Sequence, residues 1–364
     1  MQYFFYSIGD AFLVIFRWAA SQMTRFTSCC RYCQRRYKHV SIDYLTESIP
    51  KFAQDLPRYP KAASQTLPSN LCNNTNELRK KIINPNILND IFSGIPTNTE
   101  VAKSQRFFNN VKIELEWTLA DYNEIPDVKY EILKAKSMAT STQSTKRTFG
   151  IKPELLKPLP EVLLMGRTNA GKSSLINNLL VSKKSLMRHE QLAYVSSKAG
   201  FTKTLNSFRL SNELRLVDSP GYGRGGVEIQ GEMILAYIKN RRQLKRVLLL
   251  ISSTDGFADE DLQLVHYLHD RGIPVDIVFT KMDELLKKFC KKDLFKKDNA
   301  ETMIKEANQK IVEHYSQLID ESGLENARNT PRFMFNNAQT NNFLTEFMGI
   351  KTTRYYLLRS CDLL

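Results

Sequence analysis

The stretch GRTNAGKSS sets Gly166 and Gly171 around four residues, Arg167, Thr168, Asn169 and Ala170, and follows them with Lys172, Ser173 and Ser174. This is the spacing G-x-x-x-x-G-K-S/T. Glycines let a backbone turn tightly enough to aim successive N–H groups at phosphate oxygens. In such a loop Lys172 reaches the β- and γ-phosphates, and the Ser173 hydroxyl ligates Mg²⁺. The flanks agree with that reading. The apolar run EVLLM precedes the loop as a strand, and Leu175, Ile176, Leu179 and Leu180 follow it at helical spacing. A helix starting there directs its positive end at the phosphates.

A phosphate loop alone leaves the base open. The string VDSPGYG supplies Asp218, Ser219, Pro220 and Gly221 at the end of another apolar run. An aspartate there holds Mg²⁺ through water, and the glycine N–H senses the γ-phosphate. Further on, VDIVFTKMDEL puts Thr280, Lys281, Met282 and Asp283 just past a third run. A fixed carboxylate accepts hydrogen bonds from guanine N1 and N2, where adenine has no matching donors. Leaving it unpaired against adenine costs enough to discriminate the two bases. The Lys281 stem packs across the base, and in FMFNNAQT the loop Asn337–Ala338 offers the Ala338 N–H to guanine O6. In AGFTKTLNSF, Gly200 and Phe201 lead to Thr202, whose hydroxyl is a candidate Mg²⁺ ligand, with Thr204 as its neighbour. The ligand expected from these residues is GTP or GDP with Mg²⁺.

The elements that must hold these loops begin near residue 159. Strand-like runs lie at 161–165, 204–210, 213–217, 246–252, 274–279 and 331–335. Helical patterns fill 172–181, 229–242, 259–270 and 300–317, with a last one near 342–359. The SNE turn joins 204–210 to 213–217 as a hairpin. Strands alternating with helices predict an α/β fold, a mostly parallel sheet of six strands with helices on both faces. The hairpin adds one antiparallel strand at the sheet edge.

The 364-residue chain carries a net charge of +14, which favours polyanionic partners or an import route selecting basic leaders. Residues 11–42 hold no Asp or Glu but include Arg17, Arg25, Arg31, Arg35, Arg36 and Lys38. With the leader 1–42 so composed, a mitochondrial targeting segment is expected. Met23 offers an internal start to it. The apolar residues 1–20 are interrupted by Asp10 and Arg17, too broken for a spanning helix, so a short membrane-associating leader and a signal peptide are the rival readings. Residues 43–103 are rich in Pro, Asn, Ser and Thr and read as a loosely ordered extension. Residues 104–133 form an amphipathic lead-in segment with Phe107, Phe108, Val111, Leu115 and Leu119, ended by Pro126. Residues 134–158 read as a polar insertion or linker before the domain at 159–364. The six cysteines show no repeated spacing, which favours free thiols over a zinc site.

The strings GRTNAGKSSLINNLL, AGFTKTLNSF, VDSPGYG and TKMD resemble the EngB (YihA) family of translation-factor-related GTPases, over about 159–350. The resemblance implies a Ras-like P-loop GTPase domain that binds GTP with Mg²⁺ and assists assembly of the large ribosomal subunit. With the basic leader, the chain resembles a mitochondrial member, placed in the matrix. It implies phosphate and magnesium roles for Gly166, Asn169, Gly171, Lys172, Ser173 and Ser174, and switch roles for Thr202, Asp218 and Gly221. Base contacts fall to Thr280, Lys281 and Asp283. Two positions depart from the family pattern: Ala199 replaces the proline before the switch glycine, and Asn337 replaces the serine of the closing Ser-Ala string. Relatives with Asn at the place of Asn169 can use a bound K⁺, so the resemblance permits K⁺ here.

Ras-type enzymes place a glutamine after the sensor glycine, and this chain has Tyr222. A phenol cannot orient and deprotonate water in that way, so no catalytic residue is assigned and slow intrinsic turnover is expected. Gly223, Gly225 and Gly226 leave the following loop for a partner to fix, with Arg224 as a candidate for charge compensation. The basic stretches 239–246 and 287–297 are candidates to meet rRNA phosphates. Two functions follow. One is a GTP switch in mitochondrial large-subunit assembly or mitochondrial translation, meeting the ribosome or its rRNA and no DNA. The other is a membrane-associated regulatory guanine-nucleotide-binding module with no ribosomal role.

Overall fold

A computed structural model describes residues 69–94, 96–139, 148–180, 204–223, 228–324 and 330–364. The leader 1–42 and the switch residues Gly200, Phe201 and Thr202 lie outside the described residues. The strands are β1 (Ile113–Leu119), β2 (Glu161–Gly166), β3 (Leu205–Leu210), β4 (Leu214–Asp218), β5 (Leu244–Ser252), β6 (Val275–Thr280) and β7 (Phe333–Phe335). The helices are α1 (Ser69–Lys80), α2 (Pro85–Phe92), α3 (Asn98–Asn110), α4 (Pro126–Ala139) and α5 (Lys172–Leu180). They continue with α6 (Glu228–Asn240), α7 (Asp259–Asp270), α8 (Met282–Phe289), α9 (Ala300–Ser322) and α10 (Ile350–Arg359).

The strands form one sheet in the order β1-β3-β4-β2-β5-β6-β7. β2, β4, β5, β6 and β7 pair in parallel, whereas β3 is antiparallel to both β4 and β1. Every residue of β2, β4 and β6 is buried, as expected for parallel strands covered on both faces. Alternation sorts their side chains. Leu163, Met165, Val217, Leu249 and Phe279 join one core with α6, α7, α8 and α9, while Val162, Leu164, Leu216, Leu248 and Val278 join the other with α5 and α10. The Ras-like α/β arrangement is therefore present.

The sheet has seven strands where six were expected. The seventh is β1, in the lead-in whose apolar spacing predicts one amphipathic stretch. α3 closes at Asn110, and IELEWTL then runs extended against β3. That pairing makes β3, expected at the edge, an interior strand. A second difference lies in 43–103. From Ser69 this segment builds three helices, and Leu78, Ile82, Ile83 and Leu88 are buried in the main core. Local signals start two of them. Asn84 caps α2, its side chain accepting from the Asn86 and Ile87 N–H groups, and Thr97 with Glu100 forms a capping box on α3.

Candidate nucleotide site

In a doubly wound sheet the ligand site lies beyond the carboxyl ends of the parallel strands. Gly166 ends β2, Asp218 ends β4 and Thr280 ends β6, so the fold gathers three of the four motifs there. The loop 166–171 is closed by short bonds. Ala170 N–H donates to Arg167 O at 3.0 Å, and Thr280 Oγ1 donates to Ala170 O at 2.7 Å. Thr280 thus ties the end of β6 to the glycine-framed loop, a role its motif did not suggest. Asn169 takes a left-handed φ of 64° in the turn.

Lys172 is buried, and its Nζ donates to Gly166 O at 2.8 Å and Arg167 O at 3.2 Å. The ammonium therefore curls back over the concave side of the loop. Burial pulls its pKa down to about 8, opposed by the charge of Asp218. Asp218 is 1% exposed, and its Oδ1 has no hydrogen-bond partner. Burial raises its pKa to about 7, with Lys172 acting in the other direction. A buried carboxylate oxygen without a donor is costly unless a cation or its water meets it. The residues present fit a hydrated Mg²⁺ near Asp218, and Ser173 and Ser174 stand in the first turn of α5.

Gly221 lies against the same loop. A Cβ at this position would come 2.8 Å from Thr168 Cα, so only glycine fits. Its neighbour fixes the approach, because the Thr168 N–H donates to Tyr222 O at 3.0 Å. Ser219 and Pro220 are the buried link to β4, the Ser219 N–H reaching Leu164 O at 3.3 Å. The Tyr222 hydroxyl donates to Asp261 Oδ1 at 2.6 Å, and the Arg167 Nε meets Asp261 Oδ2 at 3.2 Å. Asp261 also accepts the Ala258 N–H at 2.8 Å and so starts α7. Sequence reasoning missed this knot. Arg167, expected among the nucleotide contacts, has its guanidinium turned to Asp261 and to Gly256 O at 2.7 Å, leaving its backbone to the loop. A cavity of about 390 Å³ opens beside it, lined by Thr168, Tyr222, Gly223, Asp255 and Glu260 among others.

The base end is equally built. Asp283 is buried in the first turn of α8, and burial raises its pKa against the backbone N–H groups of Asp283 and Gln339. Lys281 is left-handed at φ 58°, and Met282 is fully buried in the core. Asn337 is buried and structural: its Nδ2 donates to Gln339 O and Glu346 O at 2.8 and 2.9 Å, and its Oδ1 accepts the Met348 N–H at 2.8 Å. Ala338 is half-buried, its carbonyl accepting from Asn178 Nδ2 at 3.4 Å, and the backbone N–H of the next residue, Gln339, meets Asp283. Thr204, two residues beyond Thr202, donates to Asn206 Oδ1 at 3.2 Å at the entry to β3.

A glycine-framed loop with its lysine curled inward, a buried carboxylate at the end of β4 and a second in the first turn of α8 are the arrangement of a P-loop GTPase domain. The model of the 50S ribosome-binding GTPase family matches residues 161–281. The "Probable GTP-binding protein EngB" of Bacillus subtilis is 40% identical over 144 residues, covering 38% of this chain and 70% of that protein. MIOREX complex component 8 of Saccharomyces cerevisiae is 34% identical over 287 residues, covering 76% of this chain and 80% of that protein. The chain belongs to the EngB family of GTP-binding proteins, and it is a GTPase. Among solved structures, a variant of Era from Aquifex aeolicus bound to GDP·AlF₄⁻ is similar at 18% identity and a TM-score of 0.38, covering 56% of each chain.

Proposed function

We propose that this GTPase is a slow switch that acts in the mitochondrial matrix on the large ribosomal subunit, during its assembly or in translation. The observation that carries the switch is the contrast beside the γ-phosphate position. Gly221 is seated on the phosphate loop ready to sense that phosphate, while the Tyr222 hydroxyl is spent on Asp261 and positions no water. Ser173, Thr202 and Asp218, the last through water, would hold Mg²⁺, which neutralises charge on the phosphates when bound. K⁺ at Asn169 belongs to the same reading. Asp283 and Ala338 read the base, and Lys281 packs across it.

The ribosomal assignment draws on the family's description and on surface charge. Of the two basic stretches, 239–246 is partly consumed internally, since Arg241 pairs with Glu161 and Asp127, and Arg246 with Asp276. Stretch 287–297 keeps Lys287, Lys288, Lys291, Lys292 and Lys296 exposed over buried Leu286, Cys290 and Leu294. It is the stronger candidate for rRNA phosphates. The compartment rests on the basic leader 1–42. Among the described residues no helix is long and apolar enough to cross a membrane, and the membrane reading rests on residues 1–20.

The test is binding of the full chain to a large-subunit precursor, with GDP and with a non-hydrolysable GTP analogue, at two salt concentrations. Tighter binding with the analogue, weakening steeply with salt, is expected. Lys172→Ala removes the nucleotide dependence and leaves the salt-dependent background. Equal affinity in both nucleotide states refutes the switch.

A further inference from the structure

The helices ahead of β1 have no part in the reading above, yet they grip the base pocket from outside. α2 lies along the free edge of β7. There the Asn89 side chain, 1% exposed, stands in for a missing strand: its Nδ2 donates to Phe335 O at 3.0 Å and its Oδ1 accepts the Phe335 N–H at 2.8 Å. The Ser93 hydroxyl donates to Phe333 O on the same edge. Near the start of α2, Asn86 Oδ1 accepts the Gly349 N–H at 2.9 Å. Gly349 is left-handed at φ 81°, and any Cβ there would strike the Phe335 carbonyl. Phe335 and Gly349 are therefore pressed together at the neck of one loop, and α2 holds both sides of that neck.

Inside the neck the loop is stitched to the base site. Asn337 ties to Met348, next to Gly349, and Asn341 Nδ2 donates to Asp283 O at 2.8 Å. From α1, Arg79 Nε donates to Asn342 O at 2.9 Å. We propose that α2 braces the base pocket: Asn86 and Asn89 are positioning residues that hold loop 335–349 so that the Ala338 N–H stands where guanine O6 arrives. This rests on the reading of Asp283 and Ala338 as base contacts. The physical advantage is pre-organisation. A three-residue edge strand followed by a long loop would otherwise have to be ordered at each binding event, at the expense of affinity.

Asn86 is the clean probe, since it is exposed and its loss opens no cavity. The full chain is titrated with GDP and with 6-thio-GDP, which keeps the N1 and N2 protons but replaces O6 with sulfur, a weak acceptor. Asn86→Ala is expected to weaken GDP about three- to tenfold, the range of one lost hydrogen bond, while 6-thio-GDP changes less than about twofold. Asn86→Asp keeps the acceptor and restores GDP affinity. The thermal midpoint, followed in parallel, stays close to wild type in both variants. Unchanged GDP affinity in Asn86→Ala, or an equal loss for both nucleotides, overturns the brace. Should the wild-type chain bind GDP and 6-thio-GDP alike, the O6 contact itself is absent, and the base reading falls together with the brace built on it.

Discussion

Glu161 opens β2 and Asp218 closes the neighbouring β4; both carboxylates are buried, and they are treated oppositely. At the amino end of the sheet, Glu161 accepts from Arg241 Nε at 2.6 Å and from the Tyr237 hydroxyl, with Arg215 Nη1 at 3.6 Å. Arg241 bonds Asp127 at the start of α4, and Arg215 bonds Glu116 of β1 at 2.5 Å. At the carboxyl end, Asp218 keeps an oxygen without a partner and Lys172 leans on carbonyls. The cluster around Glu161 closes its charge inside the protein and so fastens the lead-in to the domain. The carboxyl end leaves charge to be completed by a ligand. Stability is concentrated where charges are satisfied, and binding capacity where they are not.

The largest effect that would test this contrast is at the closed end. Glu161→Gln leaves two buried guanidinium groups undercompensated and should cost about 3–5 kcal/mol in chemical denaturation. A loss below about 1 kcal/mol would mean the network is ornamental. Next comes the base end of the open side. Asp283→Asn should weaken GTP by about 1.5–3 kcal/mol and shift preference toward xanthine nucleotides, with little change in the unliganded melting curve. Unaltered GTP affinity removes Asp283 from the base site. Asp218→Asn should invert the sign seen at Glu161: the unliganded fold gains up to about 1 kcal/mol, because an orphaned charge is gone, while Mg²⁺-dependent GDP affinity drops. Destabilisation comparable to that of Glu161→Gln would erase the distinction between the two ends.

The smallest effect is a proton count. The Asp218 pKa is raised to about 7 from 3.8, so this group's contribution to the unliganded fold is full at low pH and is lost as pH rises through about 7. Binding of a magnesium nucleotide requires the ionised form. At pH 6 it should therefore release up to about one proton, whereas Lys172, with a pKa of about 8, stays charged there. Calorimetry in two buffers of different ionisation heat reads this directly, and identical heats would contradict it.

The open end was legible in the sequence because ligand chemistry dictates residue types at fixed spacing: Asp218 ends β4, Lys172 opens α5 after the loop from β2, and Asp283 stands in the first turn of α8 after β6. The closed end was not. Arg241 and Arg246 read as surface charge in a basic run, since nothing local reveals that Glu161 and Asp276 face them across the sheet. β1 did carry a signal: Ile113, Leu115, Trp117 and Leu119 alternate with polar residues, but Phe107, Phe108 and Val111 just ahead impose a helical spacing that hides it. The extension hid its helices for another reason. Its Asn and Pro residues look disordered by composition, yet Asn84 caps a helix and Asn89 finishes a strand edge. The Tyr222–Asp261 contact joins residues 39 positions apart with no shared motif.

The pairing of Asn89 with Phe335 spans 246 positions of chain, and that of β1 with β3 about a hundred. A polypeptide emerging amino end first therefore makes α2 and β1 long before their partners exist. β1 can be paired once β3 has emerged, but closure of the β7 edge by α2 waits for Phe333–Phe335, so this domain completes its fold only after nearly all of the chain has been released. Until then the side of α2 that meets β7 has nothing to cover it. A chaperone bound early and discharged late suits this order of events, and carboxyl-terminal truncation is far more damaging than its distance from the phosphate loop suggests.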